Sequence, residues 1–179
     1  PVDLRCHCRR QLIIRVGKEP NTGTFTPQIR LVGPTGTLVS QAVGAAAEIA
    51  VAAPTTGAYT IVVTDGTAAP TSTGGYRLTL VQSGIPPTLS PGDQGGALVN
   101  GSTHSGMIEI GDLDVWTLSA EVGDNIVVRV GDGPGANTLI PWIRIFSPSG
   151  VLLKSDFGTA AAEVSARATL SGEFLVVVE

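Results

Sequence analysis

The chain has 179 residues, of which only 15% are charged, and its net charge is −4. That mild acidity argues against a nucleic-acid binder, which needs a basic stripe, and no apolar run approaches the roughly 18 residues of a membrane helix. The 23 Gly and 12 Pro, set among plentiful Val, Ile and Thr, predict short strands divided by turns and hence an all-β class.

Residues 1–10 are basic, show no clear period and lack the turn signals found later. They are expected to be a disordered or aberrant end, as a shifted reading frame would give. Cys6 and Cys8 flank His7 and lie too close for an ordinary disulfide. With His104 the only other imidazole, the set falls short of the four ligands of a closed zinc site.

From Gln11 the pattern is regular. Leu12–Val16 is a β-rich run and Lys18–Thr26 a polar loop. Ile29 and Leu31 alternate with Gln28, Arg30 and Val32, as a half-buried strand should. Gly33–Gly36 turns the chain, with Pro fixing φ and Gly accepting a positive one. Further strands are predicted at Leu38–Gln41, Glu48–Ala53, Ala58–Thr64 and Tyr76–Val81, with a loop at Asp65–Gly74. Gln82–Gly96 is rich in Pro, Gly and Ser and predicts an extended linker. Beyond it, short strands are expected at Ala97–Asn100 and Met107–Ile110, then at Val115–Leu118, Ile126–Val130, Trp142–Phe146, Val164–Ala168 and Gly172–Val178.

One stretch occurs twice. Gln11–Gly36 reads QLIIRVGKEPNTGTFTPQIRLVGPTG, and Asn125–Gly150 reads NIVVRVGDGPGANTLIPWIRIFSPSG. At an offset of 114, 12 of 34 pairs from Gln11 to Gly44 are identical. At an offset of 115, 7 of 19 are identical from Ala46 to Thr64. A repeat of this length means two similar domains in series. We therefore expect a first domain at 1–81, with its N-terminal strand missing or aberrant, a linker at 82–96, and a second domain at 97–179. The second is expected to lack its last strand, because nothing in it answers Tyr76–Val81. An edge left open this way carries a pairing hazard.

Candidate sites are few. Asp112, Asp114 and Asp124 are turn carboxylates of the kind calcium takes, although Asp beside Gly is also the ordinary turn residue. Trp142, Arg144 and Phe146 share one face of a strand. If Ile143 and Ile145 face the core, that row faces outward as a platform for sugar rings or a partner protein. The other copy retains only Arg30 of it. Ser102, His104 and Ser105 fall in one turn without a nucleophile elbow, and read as a solvated loop rather than a triad. Gly131–Gly135 has no helix after it, so it is a strand connection and not a phosphate loop.

The series GDLDVWTLSAEVGD, IVVRVG, PWIRIFSPSG and SGEFLVVV resembles the bacterial pre-peptidase C-terminal domain. The first half is similar from its second strand onward, through GAYTIVV and GGYRLTL, and departs at residues 1–10. The resemblance implies two tandem antiparallel β-sandwich domains, jelly-roll-like and non-catalytic. It also implies an extracellular or cell-surface location in an exported bacterial protein, with catalytic or surface domains upstream in the parent chain. The expected function is binding or adhesion to polysaccharide or extracellular protein, or domain spacing. The alternative is a C-terminal processing or export domain of a secreted peptidase. No cofactor is expected apart from the calcium considered for the aspartates. Nucleic-acid binding and membrane insertion are not expected.

Overall fold

The computed structural model describes residues 2–67, 71–133 and 139–179, with side chains from residue 4 onward. Among the described residues there are strands and no helix. The chain divides into two compact units. The first is Pro1–Gln82 with Glu109–Asp112, and the second is Ser83–Ile108 with Leu113–Glu179.

The first unit holds β1 (Val2–Cys6), β2 (Gln11–Lys18), β3 (Pro27–Val32), β4 (Leu38–Val43), β5 (Ala46–Ala52), β6 (Gly57–Asp65) and β7 (Tyr76–Gln82). They form two antiparallel sheets, in the orders β1-β6-β3-β4 and β5-β2-β7. The chain passes from sheet to sheet, so each sheet contributes alternate residues to one core. Leu12, Ile14 and Val16 of β2 and Ile49 of β5 meet Ile29 and Leu31 of β3 and Tyr59 and Ile61 of β6. This is the packing of a β-sandwich, in which inward and outward residues alternate along each strand.

The second unit holds β8 (Gly95–Ala97), β9 (Asp114–Ala120), β10 (Asn125–Gly131), β11 (Trp142–Phe146), β12 (Leu152–Phe157), β13 (Ala161–Arg167) and β14 (Gly172–Val178). Its larger sheet runs β12-β11-β14-β9-β8, and its smaller one is the pair β10-β13. The core is drawn from Ile126, Ile143, Ile145, Val164, Phe174 and Val176.

The sequence repeat is reproduced residue for residue in the pairing. Ile29 lies opposite Val63, and Ile143 opposite Val178. Arg15 lies opposite Glu48, and Arg129 opposite Glu163. Even the register shift recurs, between Leu31 and Val32 in one copy and between Ile145 and Phe146 in the other. The turns agree as well. The Gly36 N–H donates to Gly33 O at 2.9 Å, and that of Gly150 to Ser147 O at 2.8 Å, with φ of 80° and 87° respectively. The repeated glycines before the last shared strand have a packing reason. A Cβ on Gly57 would stand 2.5 Å from the Pro34 ring, and one on Gly172 would stand 3.1 Å from that of Pro148.

Three expectations are corrected. Residues 2–6 are neither missing nor irregular. They form β1, and Cys6 lies opposite Gly57 just as Ala120 lies opposite Gly172. The reason is an alternation, Val2-Asp3-Leu4-Arg5-Cys6, that carries Leu4 and Cys6 into the core. Burial pushes the Cys6 thiol up, with Arg10 acting against it and Cys8 with it. The segment 82–96 is not a free spacer. Gln82 ends β7, the Ser83 hydroxyl donates to Gly150 O at 2.6 Å, and Gly95–Ala97 pairs in parallel with β9. The boundary at 97 also fails, because Ser83–Ile108 belongs to the second unit and Glu109–Asp112 to the first. No strand forms at Met107–Ile110. The predicted loops Asp65–Gly74 and Gly131–Gly135 lie in part outside the described residues, at 68–70 and 134–138.

Asp65 fastens the end of β6 to the entry of β3. Desolvation is the largest single influence on its carboxyl and pushes the pKa up. The Thr67 hydroxyl and the N–H groups of Thr67, Ser72 and Thr26 together outweigh it and hold the carboxyl below its usual range. The hydroxyl donates at 2.9 Å and the three amides at 3.2, 3.2 and 3.4 Å. A folded pKa below the unfolded one stabilises above the unfolded value, and that stability disappears as pH falls through the folded value. Asp65→Asn is therefore expected to lower the melting temperature near neutrality and to match the parent chain in strong acid. A gap that stays constant down to acid pH would exclude this role.

Candidate functional site

The predicted row on β11 is divided by its surroundings. Ile143 and Ile145 face the core as expected. On the other face Trp142 is 41% exposed, whereas Arg144 is 5% and Phe146 1% exposed. Phe146 is therefore not part of an open platform. Arg144 makes a buried ion pair with Glu179, and its guanidinium carbon lies 4.9 Å from the centroid of the Trp142 ring. A cation over an indole face is attracted by the ring's quadrupole. The backbone of Trp142 is held as well. Its N–H donates to Glu179 O at 2.8 Å, and it accepts from Glu179 N at 2.9 Å.

The partner that the sequence did not point to is Phe157. It lies opposite Trp142 on edge strand β12, with ring centroids 6.2 Å apart and planes at 58°. Its exposure is 69%. A tilted pair at this separation is a favourable aromatic geometry. Phe157 is absent from the motif PWIRIF, and the first copy has Ala42 and Val43 in that region, so only the strand pairing brings the two rings together. The exposed site is thus Trp142 and Phe157, with Arg144 behind the indole.

The aspartates separate. Asp112 lies in the first unit, where its carboxylate is 3.6 Å from Arg77. Asp114 is buried at the start of β9 in the second. Asp124 lies beyond the other end of β9, roughly 20 Å away at about 3.3 Å per residue. It accepts from the Glu121 N–H at 2.9 Å, while its own N–H donates to Glu121 O at 3.1 Å. That is the work of a turn carboxylate, and no single ion reaches both Asp114 and Asp124. The first-copy cysteines do not converge either. Cys6 is in the core, and Cys8 is exposed with its N–H on the Thr56 hydroxyl at 3.0 Å.

His104 is committed to its own loop. Its Nε2 accepts from the Val99 N–H at 3.1 Å, and its ring packs 5.2 Å from that of Trp116. The excursion Leu98–Ile108 is folded back in this way onto the second unit, where Leu98 and Ile108 touch the core. It forms one wall of a cleft of about 1420 Å³ that enters between the two sheets. Trp116, Val128, Val130 and Val176 line the interior. No sequence motif marked this cleft.

The fold defines an all-β, sandwich-like protein built on an internal repeat. No family model matches the chain, and no curated protein matches it.

Proposed function

We propose that the chain is a non-catalytic accessory module of an exported bacterial protein, in the manner of the pre-peptidase C-terminal domains it resembles. It adheres to polysaccharide or to an extracellular protein through Trp142 and Phe157. The observation that carries this reading is the exposed aromatic pair, fixed by β-pairing and backed by the Arg144 guanidinium. Two rigid rings offer large apolar area at little cost in side-chain entropy, and such anchors dominate binding surfaces. The commitment of His104 to a backbone amide supports the non-catalytic part, since a general base needs that nitrogen for its substrate. The Arg77 partner of Asp112 and the turn role of Asp124 support a module that works without a resident metal.

The test is a sedimentation assay on insoluble polysaccharides and extracellular-matrix proteins, with tryptophan fluorescence followed in parallel. Trp142→Ala and Phe157→Ala are each expected to weaken retention at least tenfold while leaving the melting temperature within a few degrees. Retention that survives both substitutions, or no retention of the parent chain on either class, would overturn the proposal.

A further inference from the structure

The two units differ at one strand. In the first, β2 lies between β5 and β7. In the second, β10 takes the place of β2 and β13 that of β5, and among the described residues nothing pairs with the other edge of β10. The consequences run along the strand. Ile14 and Val16 are wholly buried, with Leu80 and Leu78 of β7 opposite them and packed on the same core. Their counterparts Val128 and Val130 are only half-buried and line the open cleft. Arg15, which lies opposite Thr79 of β7, has a side chain 20% exposed. Its counterpart Arg129 is 73% exposed. The Leu98–Ile108 excursion walls the cleft without pairing to this edge, as the Leu98 N–H donates to Thr117 O of β9 at 2.7 Å.

We propose that the free edge of β10 is a strand-acceptor site. It takes an extended peptide from another polypeptide, antiparallel, with apolar residues at alternate positions. The first unit specifies the chemistry. An apolar-x-apolar pair, as in Leu78-Thr79-Leu80, sets its two side chains against Val130 and Val128 and extends into the cleft. Main-chain hydrogen bonds to β10 supply affinity, and the alternate side chains supply selectivity. An unpaired edge next to an unfilled apolar space is the geometry that such addition satisfies.

The probe is a fluorescent peptide of the β7 sequence, Gly74–Ser83, titrated into the full chain and read by anisotropy. We expect saturable binding with one peptide per chain and slowed hydrogen exchange of amides in β10. A peptide carrying Leu80→Pro is expected to bind at least tenfold more weakly, because proline removes an amide hydrogen and clashes in a sheet. Val128→Asp in the chain is expected to have the same effect. Should that variant fail to fold, the exchange data on the unsubstituted chain still decide the matter. Any of three results would overturn the proposal. One is no binding. Another is equal binding of the proline peptide. The third is protection confined to β2, or to a β10–β10 interface in a dimer of the chain that forms without peptide.

Discussion

Arg144→Ala is expected to destabilise the second unit by about 3–5 kcal/mol, because it leaves a buried carboxylate without its partner. The side chains of Arg144 and Glu179 are 6% and 4% exposed. Water can compensate neither charge, so loss of one strands the other. The pair itself is a different matter. The cost of desolvating two ions largely cancels their attraction, so replacing both by apolar residues of similar volume is commonly neutral or better. The double variant Arg144→Met, Glu179→Leu is therefore expected to recover most of the loss. Urea denaturation of the single and double variants measures both. If Arg144→Ala costs under about 1 kcal/mol, the value of an exposed pair, the ion pair is not buried in solution.

Tyr59→Ala is expected to cost the first unit about 3–5 kcal/mol, as for other buried aromatic truncations. Tyr59→Phe should cost only about 1 kcal/mol, the net worth of a typical hydrogen bond. The ring is wholly buried. Its hydroxyl donates to Thr55 O at 2.6 Å and accepts from the Thr55 N–H at 3.1 Å, across the turn that enters β6. The second copy has made the same substitution naturally. Phe174 occupies the equivalent place and is as deeply buried. Packing of the ring is thus the shared requirement, and the hydroxyl is an addition peculiar to the first copy. A Tyr59→Phe variant as unstable as Tyr59→Ala in thermal or urea melts would reverse that ranking.

Most of the strand pattern was legible because alternation and turn chemistry are local. Ile29 and Leu31, the Gly33–Gly36 turn and Tyr76–Val81 could be read from a few neighbours each. The duplication went further, and the pairing of Arg15 with Glu48 explains why Arg129 and Glu163 recur together. Residues 2–6 were missed for a physical reason. A strand needs only small or apolar residues at alternate places, and Leu4 and Cys6 meet that need without resembling Leu118 and Ala120. Identity was the wrong measure there, and period the right one. The binding row failed differently. Strand geometry puts Trp142, Arg144 and Phe146 on one face, but it does not say what covers that face. Phe157 escaped because cross-strand neighbours are not sequence neighbours. The open edge of β10 was half visible, in the absence of a second YRLTLV, but the cleft behind it is a property of packing.

The Arg15–Glu48 and Arg129–Glu163 pairs have the same separation, 3.9 Å, on equivalent strands. They differ in that only the first has a third strand alongside. One chain therefore carries the same charge pair in two dielectric settings. Dissolved ions screen exposed charges within about 8 Å at physiological strength and reach covered ones far less. Salt should then act unequally on the two copies, loosening the Arg129 pair first. In this molecule a neighbouring strand is an electrostatic shield as well as a source of hydrogen bonds.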